Sequence, residues 1–450
     1  MRKSAWGAIL TVATSAMVFG GFSAFAASPH ANTPVTVSVS ATNGIQVGTG
    51  FAGFSYEKDQ VGADVFNASD TNLVNLFKLL GPNIIRIGGN EVDRVNWNAN
   101  GAGGSATQIA PSDVTKLAGF LRATGWKVIY GIDLKINTAA NAASEAQFAA
   151  QALGSSLVAF EIGNEPDFYD TQAQYEASFN SYVSAIKAKV PAATFDGPGQ
   201  GKGQSWVNTF GAHEKNNSLS ILTSHIYVDS AANANIAEML ASNNPGGALQ
   251  TAEATMNTGR ANNGLPQWRM SETNSFFNGG TTGVSDVEAA SLWSLDYLSG
   301  VAAHNGAGLN FHGGSTSKYT PIVFSGITPT SVQGVYFGQL LWVLGGTGAY
   351  HSATVAGGSS VTAWGIGKNV FVNNKSTSAI TATITLASSA TTASEYVLTA
   401  PSLTSKAVTV AGSGVTVAGA FHPAPQSVTV SGTRVVITVP ADSAALVVAK

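Results

Sequence analysis

The sequence has no cysteine and few charged side chains. Because none of its 450 residues is a cysteine, a disulfide framework is excluded, and stability must rest on core packing. Charged residues make up 10% of the chain, and the formal net charge is -3. The protein therefore has no basic field that would attract nucleic acid or an anionic membrane, and we expect neither as a partner.

Several familiar site patterns are also missing. The seven histidines show no HExxH or similar ligand spacing, so we expect no bound zinc and no other cofactor. No GxSxG nucleophile elbow occurs. The glycine-rich segment 197–201 lacks the helix start and the Lys-Ser/Thr pair of a phosphate loop, and it is predicted to be a plain loop after a strand.

Long apolar stretches are confined to the N-terminus. Arg2 and Lys3 precede the apolar segment Ala8–Phe22, and Ala24–Ala26 offers a cleavage site with small residues. Residues 1–26 are therefore predicted to be a Sec-type signal peptide, and the mature protein is expected to be secreted or periplasmic. The alternative is a retained membrane anchor, but the apolar segment is shorter than the roughly 20 residues that span a bilayer.

Apolar strands alternate with helices between residues 51 and 345. Helices are predicted to begin near Asp70, Ser112 and Thr171, and a capping box is predicted at Ser285 and Glu288. Eight strands alternating with helices indicate a (β/α)8 TIM barrel. The predicted strands are Phe51–Glu57, Ile84–Gly89, Lys127–Asp133, Leu157–Glu165, Thr194–Gly199, Ile221–Val228, Gln267–Asn274 and Gly308–His312.

Residues 346–450 have a different pattern, with short alternating strands and no helical periodicity. Strands separated by Ser, Gly and Asn turns indicate an appended all-β sandwich. Val35–Ser40 shows the same alternation, so residues 27–50 are predicted to add an N-terminal strand to this domain. A separate binding module would need exposed aromatic residues, and few occur here, so we expect a structural support packed on the barrel. The predicted strands are Asn369–Val372, Ile380–Leu386, Ala407–Val410, Val428–Val430, Arg434–Val439 and Ala444–Val448.

Acidic side chains collect where the predicted barrel strands end. In a TIM barrel these ends meet at one mouth, which is where catalytic residues lie. The fourth strand ends in Asn164 and Glu165, and the seventh strand contains Glu272 near its end. Two glutamates that face each other across the mouth suit acid/base and nucleophilic work on a glycosidic bond. Glu57 and Asp93, after the first and second strands, are expected to contact the substrate.

Three acids have structural alternatives. Glu165 could cap the following helix, and Glu272 could be the buried salt-bridge partner of Arg269 or Arg86. Glu161, deeper in the barrel, is expected to be structural because a buried carboxylate needs a cationic partner. Arg86 is the candidate for that partner, but it could instead border Glu272 and keep it ionised; the sequence leaves both arrangements open.

Several motifs resemble those of known glycoside hydrolases. Glu161–Asp167 resembles the strand-four Asn-Glu-Pro motif of clan A, and Met270–Ser275 resembles the strand-seven nucleophile segment of that clan. The closer resemblance is to glycoside hydrolase family 79, the heparanase and β-glucuronidase family, and it covers both the barrel and the sandwich. The further motifs that carry it are Arg86–Gly89, Asn278–Gly280, Phe311–Gly314 and Tyr319–Pro321.

The resemblance implies a retaining β-glucuronidase. It implies that Glu165 is the acid/base and Glu272 the nucleophile. It also implies that Asn164 holds the 2-hydroxyl of the sugar and that Tyr227 donates a hydrogen bond to the nucleophile.

Recognition of a glucuronate carboxylate is where the sequence departs from the family. The resemblance implies two contacts for this carboxylate, a tyrosine after the nucleophile and a loop after strand eight. Lys318 and Tyr319 match the loop, but Phe277 stands where the tyrosine is expected, and a phenyl ring cannot donate a hydrogen bond. A β-glucoside or a modified uronic acid such as a 4-O-methylglucuronide is therefore an alternative substrate. A further alternative is a carbohydrate-binding barrel without chemistry, which would lack a close carboxylate pair.

Overall fold

The computed structural model describes residues 32–450. The predicted signal peptide, residues 1–26, lies outside the described residues. Within residues 32–450, the length and hydropathy of the helices do not reach what a membrane span requires.

Residues 33–344 contain a closed barrel of eight parallel strands with helices between them. Each of the eight predicted barrel strands is present, because each is an apolar run bounded by turn residues. The ends of the strands differ from the predicted ends by a few residues. In chain order the elements are β1 (Thr33–Val39), β2 (Gln46–Val47), β3 (Ala52–Glu57), α1 (Asp59–Gly62), α2 (Thr71–Leu79), β4 (Ile84–Gly88), β5 (Asn96–Trp97), β6 (Gln108–Ile109), α3 (Pro111–Thr124), β7 (Lys127–Ile132), α4 (Ala139–Leu153), β8 (Leu157–Ile162), α5 (Gln172–Lys189), β9 (Phe195–Gln200), α6 (Val207–Glu214), β10 (Leu219–Ser230), α7 (Ile236–Ala241), α8 (Ala248–Asn263), β11 (Trp268–Phe277), α9 (Glu288–Ala303), β12 (Leu309–His312), β13 (Ile322–Ser325), β14 (Thr328–Val332) and α10 (Gly334–Leu344). Around the barrel the order is β3, β4, β7, β8, β9, β10, β11 and β12, and β12 pairs with β3.

Two of the predicted helix starts are N-caps, and one is displaced. The Asp70 side chain accepts a hydrogen bond from the backbone of Leu73, and the Thr171 side chain caps α5. Ser112 is not a cap, because α3 already begins at Pro111. The fixed φ of proline suits the first turn of a helix, so the proline, rather than the serine, marks this start.

The capping box predicted at Ser285 and Glu288 is wrong. α9 begins at Glu288, and the Ser285 hydroxyl bonds within the preceding loop instead. The backbone amides of Glu288 and Ala289 donate to the carbonyls of Ser405 and Leu403, at 2.9 and 3.0 Å. The first turn of α9 is therefore capped by a segment more than a hundred residues away, which no local pattern can indicate.

The plain loop predicted at residues 197–201 is also wrong, because Gly197–Gln200 forms the end of β9. A Cβ added at Gly199 would lie 2.9 Å from Oε1 of Glu161, and one added at Gly201 would lie 2.6 Å from Cδ of Glu165. The glycines therefore let β9 approach two carboxylates of the neighbouring strand segment.

The remaining elements are all strands and complete the predicted fold class, a TIM barrel with an appended β-sandwich. They are β15 (Gly348–Ala356), β16 (Val361–Ile366), β17 (Asn369–Asn374), β18 (Ile380–Thr385), β19 (Ala393–Thr399), β20 (Thr409–Val410), β21 (Gln426–Val428), β22 (Val430–Ser431), β23 (Arg434–Val439) and β24 (Ser443–Ala449). β15 joins two layers: residues 350–352 pair with β16, and residues 353–356 pair with β1. β1 lies between β15 and β18, with Val35, Val37 and Val39 buried between the layers.

An aromatic stack joins the sandwich to the barrel. Phe51 and Trp342 of the barrel stack with ring centroids 5.3 Å apart. Trp342 in turn stacks on Phe371 of the sandwich at 5.8 Å, and Phe371 stacks on Trp364 at 5.2 Å. All four rings belong to one continuous hydrophobic core, so the two parts share buried surface.

Candidate active site

A cavity of about 530 Å³ opens at the carboxyl ends of the barrel strands. It brings together eight of the nine predicted site residues, and Lys318 is the exception. The lining residues are Glu57, Asn90, Asp93, Arg94, Lys135, Asn164, Glu165, Phe168, Tyr169, Gly201, Tyr227, Glu272, Phe277, Asn278, His312 and Tyr319. Half of them lie outside the predicted set.

Glu165 and Glu272 face each other in this cavity. One carboxylate oxygen from each, together with a ring nitrogen of His225, all lie within 4.8 Å of one another. Glu272 is buried and Glu165 is partly exposed. The pair therefore has the close spacing that the sequence predicted for strands four and seven of the barrel.

The surroundings of Glu272 favour its ionised form. Nη1 of Arg86 donates to Oε2 at 2.6 Å, and the Tyr227 hydroxyl donates to Oε1 at 2.8 Å. Burial raises the pKa of Glu272, but the charges of His312, His225 and Arg86 and the tyrosine hydrogen bond outweigh it and lower the pKa to about 2. Glu272 is thus a carboxylate at any physiological pH.

Arg86 settles the question that the sequence left open, because it contacts both acids. Its Nε and Nη2 donate to the two oxygens of Glu161, at 2.9 and 2.7 Å, while Nη1 binds Glu272. Arg269 is not the partner of Glu272, since its guanidinium donates to Asn310 and to backbone carbonyls. Burial opposes the ionisation of Glu161, but Arg86 and His225 lower its pKa. Glu161 is therefore structural, as predicted, and it anchors the arginine.

Glu165 has an unusual backbone conformation and a histidine neighbour. Its φ of 47° and ψ of 54° are left-handed, and its side chain makes no helix-capping hydrogen bond, so the capping alternative does not apply. Oε1 lies 3.0 Å from Nδ1 of His225. Burial lowers the pKa of His225, but the charge of Glu272 and hydrogen bonds to Glu161 and Glu165 raise it to about 9. The neighbouring carboxylates therefore favour the protonated form of His225, and its ring shares a hydrogen bond with Glu165.

Asn164 and Asp93, which line the cavity near Glu165, are held by hydrogen bonds to other protein groups. Oδ1 of Asn164 accepts a hydrogen bond from Arg86 at 2.8 Å, which leaves the amide nitrogen directed to Asn90 at a long 3.5 Å. Asp93 lines the cavity, but its Oδ1 accepts from the backbone of Leu134 and its Oδ2 from the hydroxyl of Tyr169. Burial raises the pKa of Asp93. Asp93 thus orients the loops after the strands, and a contact with substrate stays a prediction.

Further lining residues lie at the ends of the first and eighth barrel strands. Oε2 of Glu57 accepts from the backbone of Glu91 at 2.7 Å, and Oε1 lies 3.5 Å from Nε2 of His312. Burial lowers the pKa of His312, but Glu272 and Glu57 raise it overall. The ring of Tyr319 lies 6.0 Å from that of Tyr227, so the tyrosine forms part of the wall beside the nucleophile.

The two residues associated with the sugar carboxylate differ in their placement. Phe277 lines the rim of the cavity with 43% of its surface exposed, and its ring packs edge-on against Tyr227. The Lys318 side chain is exposed and does not line the cavity, although its backbone amide donates to Gly279. Of the two residues of this loop, only Tyr319 is buried and lines the cavity.

Two cationic residues that line the cavity were not identified from the sequence. Arg94 and Lys135 line it, and Nζ of Lys135 lies 5.0 Å from the centroid of the Tyr169 ring. These residues follow the second and third strands, and the third strand had contributed no candidate. Glu57 and Glu165 were selected because they are polar residues at the end of a predicted barrel strand. The same rule, extended to the residues just after a strand, would have found Lys135.

The described residues thus form a (β/α)8 barrel with an appended β-sandwich and a close carboxylate pair at the mouth of the barrel. No protein-family model matches the chain, and no curated protein sequence matches it. Solved structures do match over nearly the whole chain. One is a 4-O-α-L-rhamnosyl-β-D-glucuronidase from Fusarium oxysporum 12S, with a TM-score of 0.72 and 24% identity over 91% of this chain and 99% of that one.

Two other similar structures have lower identity. The GH51 arabinofuranosidase from Xanthomonas axonopodis pv. citri has a TM-score of 0.69 and 14% identity, over 93% of this chain and 100% of that one. CelM2, a bifunctional glucanase-xylanase from a metagenome library, has a TM-score of 0.64 and 14% identity, over 92% and 99%. Identities this low establish the fold alone, a TIM barrel with an appended β-sandwich.

Proposed function

We propose that the protein is a retaining β-glycoside hydrolase in which Glu272 is the nucleophile and Glu165 the acid/base. The observation that carries the proposal is the close approach of the two carboxylates, within 4.8 Å between their nearest ligating oxygens. Retaining enzymes hold these groups about 5 to 5.5 Å apart, whereas inverting enzymes leave roughly 6.5 to 9.5 Å for a water molecule. A separation of no more than 4.8 Å between these oxygens supports the retaining class.

In the proposed reaction each acid has one role. Ionised Glu272 attacks the anomeric carbon while Glu165 gives its proton to the glycosidic oxygen, so the bond to the aglycone breaks and the aglycone leaves as an alcohol. Glu165, now ionised, takes a proton from water, and the resulting hydroxide equivalent displaces Glu272 from the sugar. Because the two carboxylates supply both the nucleophile and the proton, the reaction needs no metal or organic cofactor.

We further propose a β-glucuronide as the substrate, with the enzyme acting outside the cytoplasm as a member of family 79. Tyr319 at the wall of the cavity and the cations Arg94 and Lys135 in its lining support a carboxylate-bearing sugar. Phe277 favours the second candidate, a β-glucoside or a 4-O-methylglucuronide, because its ring offers an apolar surface in place of a hydrogen-bond donor.

A panel of aryl glycosides tests the sugar. We expect a higher kcat/KM for the β-glucuronide than for the β-glucoside, β-xyloside and β-galactoside. A preference for neutral sugars would refute the glucuronidase assignment and leave the mechanism intact.

Replacement of the nucleophile tests the mechanism. Glu272→Gln should remove nearly all turnover and also abolish the covalent adduct that a 2-fluoro glycoside forms, which is detectable by mass spectrometry. Glu395→Gln, in the sandwich, is the control and should retain both. Substantial activity in Glu272→Gln would identify another nucleophile, and sugar binding without any turnover by the wild type would favour the non-catalytic barrel.

A further inference from the structure

Phe168 is an exposed aromatic residue in the lining of the cavity, only three positions after Glu165. Its side chain is 58% exposed, one of five large apolar residues on the described surface with such exposure. It ends the short 3-10 turn Pro166–Phe168, which begins directly after Glu165. Because Phe168 also lines the cavity, its exposed ring is placed where a bound substrate can contact it.

The phenyl ring of Phe168 is supported from one side by Lys202. Nζ of Lys202 lies 4.4 Å from the ring centroid, in cation–π contact. The same Nζ donates to the backbone carbonyl of Asp167 at 3.0 Å, and the backbone amide of Lys202 donates to Oδ2 of Asp167 at 2.7 Å. Oδ1 of Asp167 also accepts from the amide of Gly201. Asp167 therefore ties the Phe168 turn to the segment that follows β9.

This support determines which part of the ring faces the cavity. Lys202 covers one face of Phe168 and does not line the cavity, whereas Phe168 does. The surface of the ring that lines the cavity is therefore the part that Lys202 leaves open. Because the contact with Lys202 restrains the ring before a ligand arrives, less side-chain entropy is lost when a ligand stacks on it.

The position of Glu165 identifies the part of the substrate that meets Phe168. An acid/base must lie next to the glycosidic oxygen to which it gives its proton, so the leaving group departs on the Glu165 side. Phe168 and Gly201 are on that side, after β8 and β9. His312 ends β12 and Tyr319 follows it, and β12 lies across the barrel from β8, so both residues belong to the side that holds the sugar.

We propose that Phe168, supported by Lys202, is the binding platform for the leaving group, and that the preferred aglycone presents a flat apolar face. This inference rests on the proposed glycosidase function and adds the substrate class on its leaving side. Two kinds of aglycone share this chemistry, a phenolic ring and the C–H face of a pyranose. Stacking of this kind is worth about 0.5 to 1.5 kcal/mol, or roughly 2- to 12-fold in kcat/KM.

The two steps of a retaining reaction allow a sharp test with Phe168→Ala. The aglycone is present in the first step and has left before the second. We expect kcat/KM for phenyl glycosides to fall about 5- to 10-fold, while the rate of hydrolysis of the glycosyl-enzyme stays within about twofold. Ile327→Ala, another exposed apolar residue but outside the cavity, is the matched control and should change neither rate.

The second step also distinguishes binding from structural support. If Phe168 only positioned Glu165, the hydrolysis of the glycosyl-enzyme would fall as well, since Glu165 is the base in that step. Equal losses in both steps would therefore overturn the proposal. If Phe168→Ala does not fold, Phe168→Leu, which keeps an apolar side chain without a flat face, should show the same selective loss.

Two substrates with flat leaving groups, and a third without one, show whether Phe168 binds a phenolic ring or the C–H face of a pyranose. A phenyl glycoside and a disaccharide with a pyranose leaving group are compared with a fluoroalkyl glycoside of similar leaving-group acidity. Phe168→Ala should penalise one or both of the flat aglycones and spare the fluoroalkyl one, and Lys202→Met should produce a smaller loss of the same kind. If Phe168→Ala lowers kcat/KM equally for all three substrates, the proposed platform is refuted but the glycosidase function is not. If the wild-type protein hydrolyses no glycoside, the glycosidase function itself is refuted.

Discussion

Glu272 keeps its charge in a buried site because its neighbours compensate for lost hydration. Arg86 and Tyr227 each donate to one of its oxygens, and His312 lies 3.6 Å from Oε2. Arg86 is itself held by Glu161. The buried site therefore balances its carboxylates with cations, which is the usual condition for burying charge.

Tyr227→Phe should raise the pKa of Glu272 above its value of about 2. The hydroxyl stabilises the ionised form, so its loss makes protonation easier. A carboxyl group with a lowered pKa loses its active form as the pH falls, and the acidic limb of the kcat/KM profile should therefore move to higher pH. Tyr396→Phe, in β19 of the sandwich, is the control, and an acidic limb that stays in place would contradict the role of the hydrogen bond.

The roles of single residues were partly predictable from the sequence. Glu165 and Glu272 were found because each belongs to a local motif at a strand end. The double role of Arg86 was not, because it depends on the distances from one guanidinium to strands β8 and β11, which local sequence does not encode. Lys318 does not line the cavity although its neighbour Tyr319 does, since neighbours in a loop can differ in burial, and a contact of Lys318 with the substrate stays a prediction.

At the scale of elements, strand β9 shows how a backbone makes room for a reactive group. The amide of Glu165 donates to the carbonyl of Gly199 at 3.1 Å, and the carboxylate lies against Gly201. Any side chain at Gly201 would occupy the space of Glu165. The glycine-rich end of β9 thus fixes the acid/base through shape.

Gly201→Ala should lower activity far more than stability. The added Cβ would lie 2.6 Å from Cδ of Glu165, and a displaced acid/base costs about 100-fold in rate for a shift of 1 Å. Gly48→Ala, where a Cβ has no neighbour within 4 Å, is the matched control and should keep full kcat/KM. The thermal midpoints of both variants should stay close to that of the wild type; a fully active Gly201→Ala would show that the contact relaxes without cost.

Elements were predicted well where the signal was local. Apolar runs located all eight barrel strands, and Asp70 and Thr171 located two helix starts. Ser285 failed because the amides of α9 are capped by carbonyls of the sandwich. The segment 197–201 was predicted to be a loop once a phosphate loop had been set aside, although the predicted strand Thr194–Gly199 overlapped it. The need for these glycines comes from Glu161 and Glu165 of the adjacent strand segment, which a local pattern does not show.

At the scale of the whole molecule, the sandwich depends on the N-terminal strand. β1 pairs with β15 on one side and β18 on the other. Val35, Val37 and Val39 are buried in its core, and burial of each is worth about 1.5 to 3 kcal/mol. Their sum is comparable with the total stability of a typical domain, about 5 to 15 kcal/mol.

A chain that begins at Thr42 should therefore fail to form a stable sandwich. Since that domain shares its core with the barrel, we expect the truncated protein to melt at a much lower temperature or to aggregate, as judged by calorimetry and size-exclusion chromatography. A chain that begins at Ala27, the predicted mature N-terminus, is the control. Equal melting temperatures for the two chains would show that β1 is dispensable.

The pairing of β1 also imposes an order on folding. Thr33 pairs with Ile380, so the first strand to emerge during synthesis has no partner until most of the chain has followed. Meanwhile its alternating valines form an open strand edge, the kind of surface that promotes aggregation. The barrel lies between β1 and β18 in the sequence. If it closes first, it brings these two strands close together and lowers the entropy cost of their pairing. Completion of the sandwich therefore has to wait for β18, and until then the edge of β1 that β18 covers stays open.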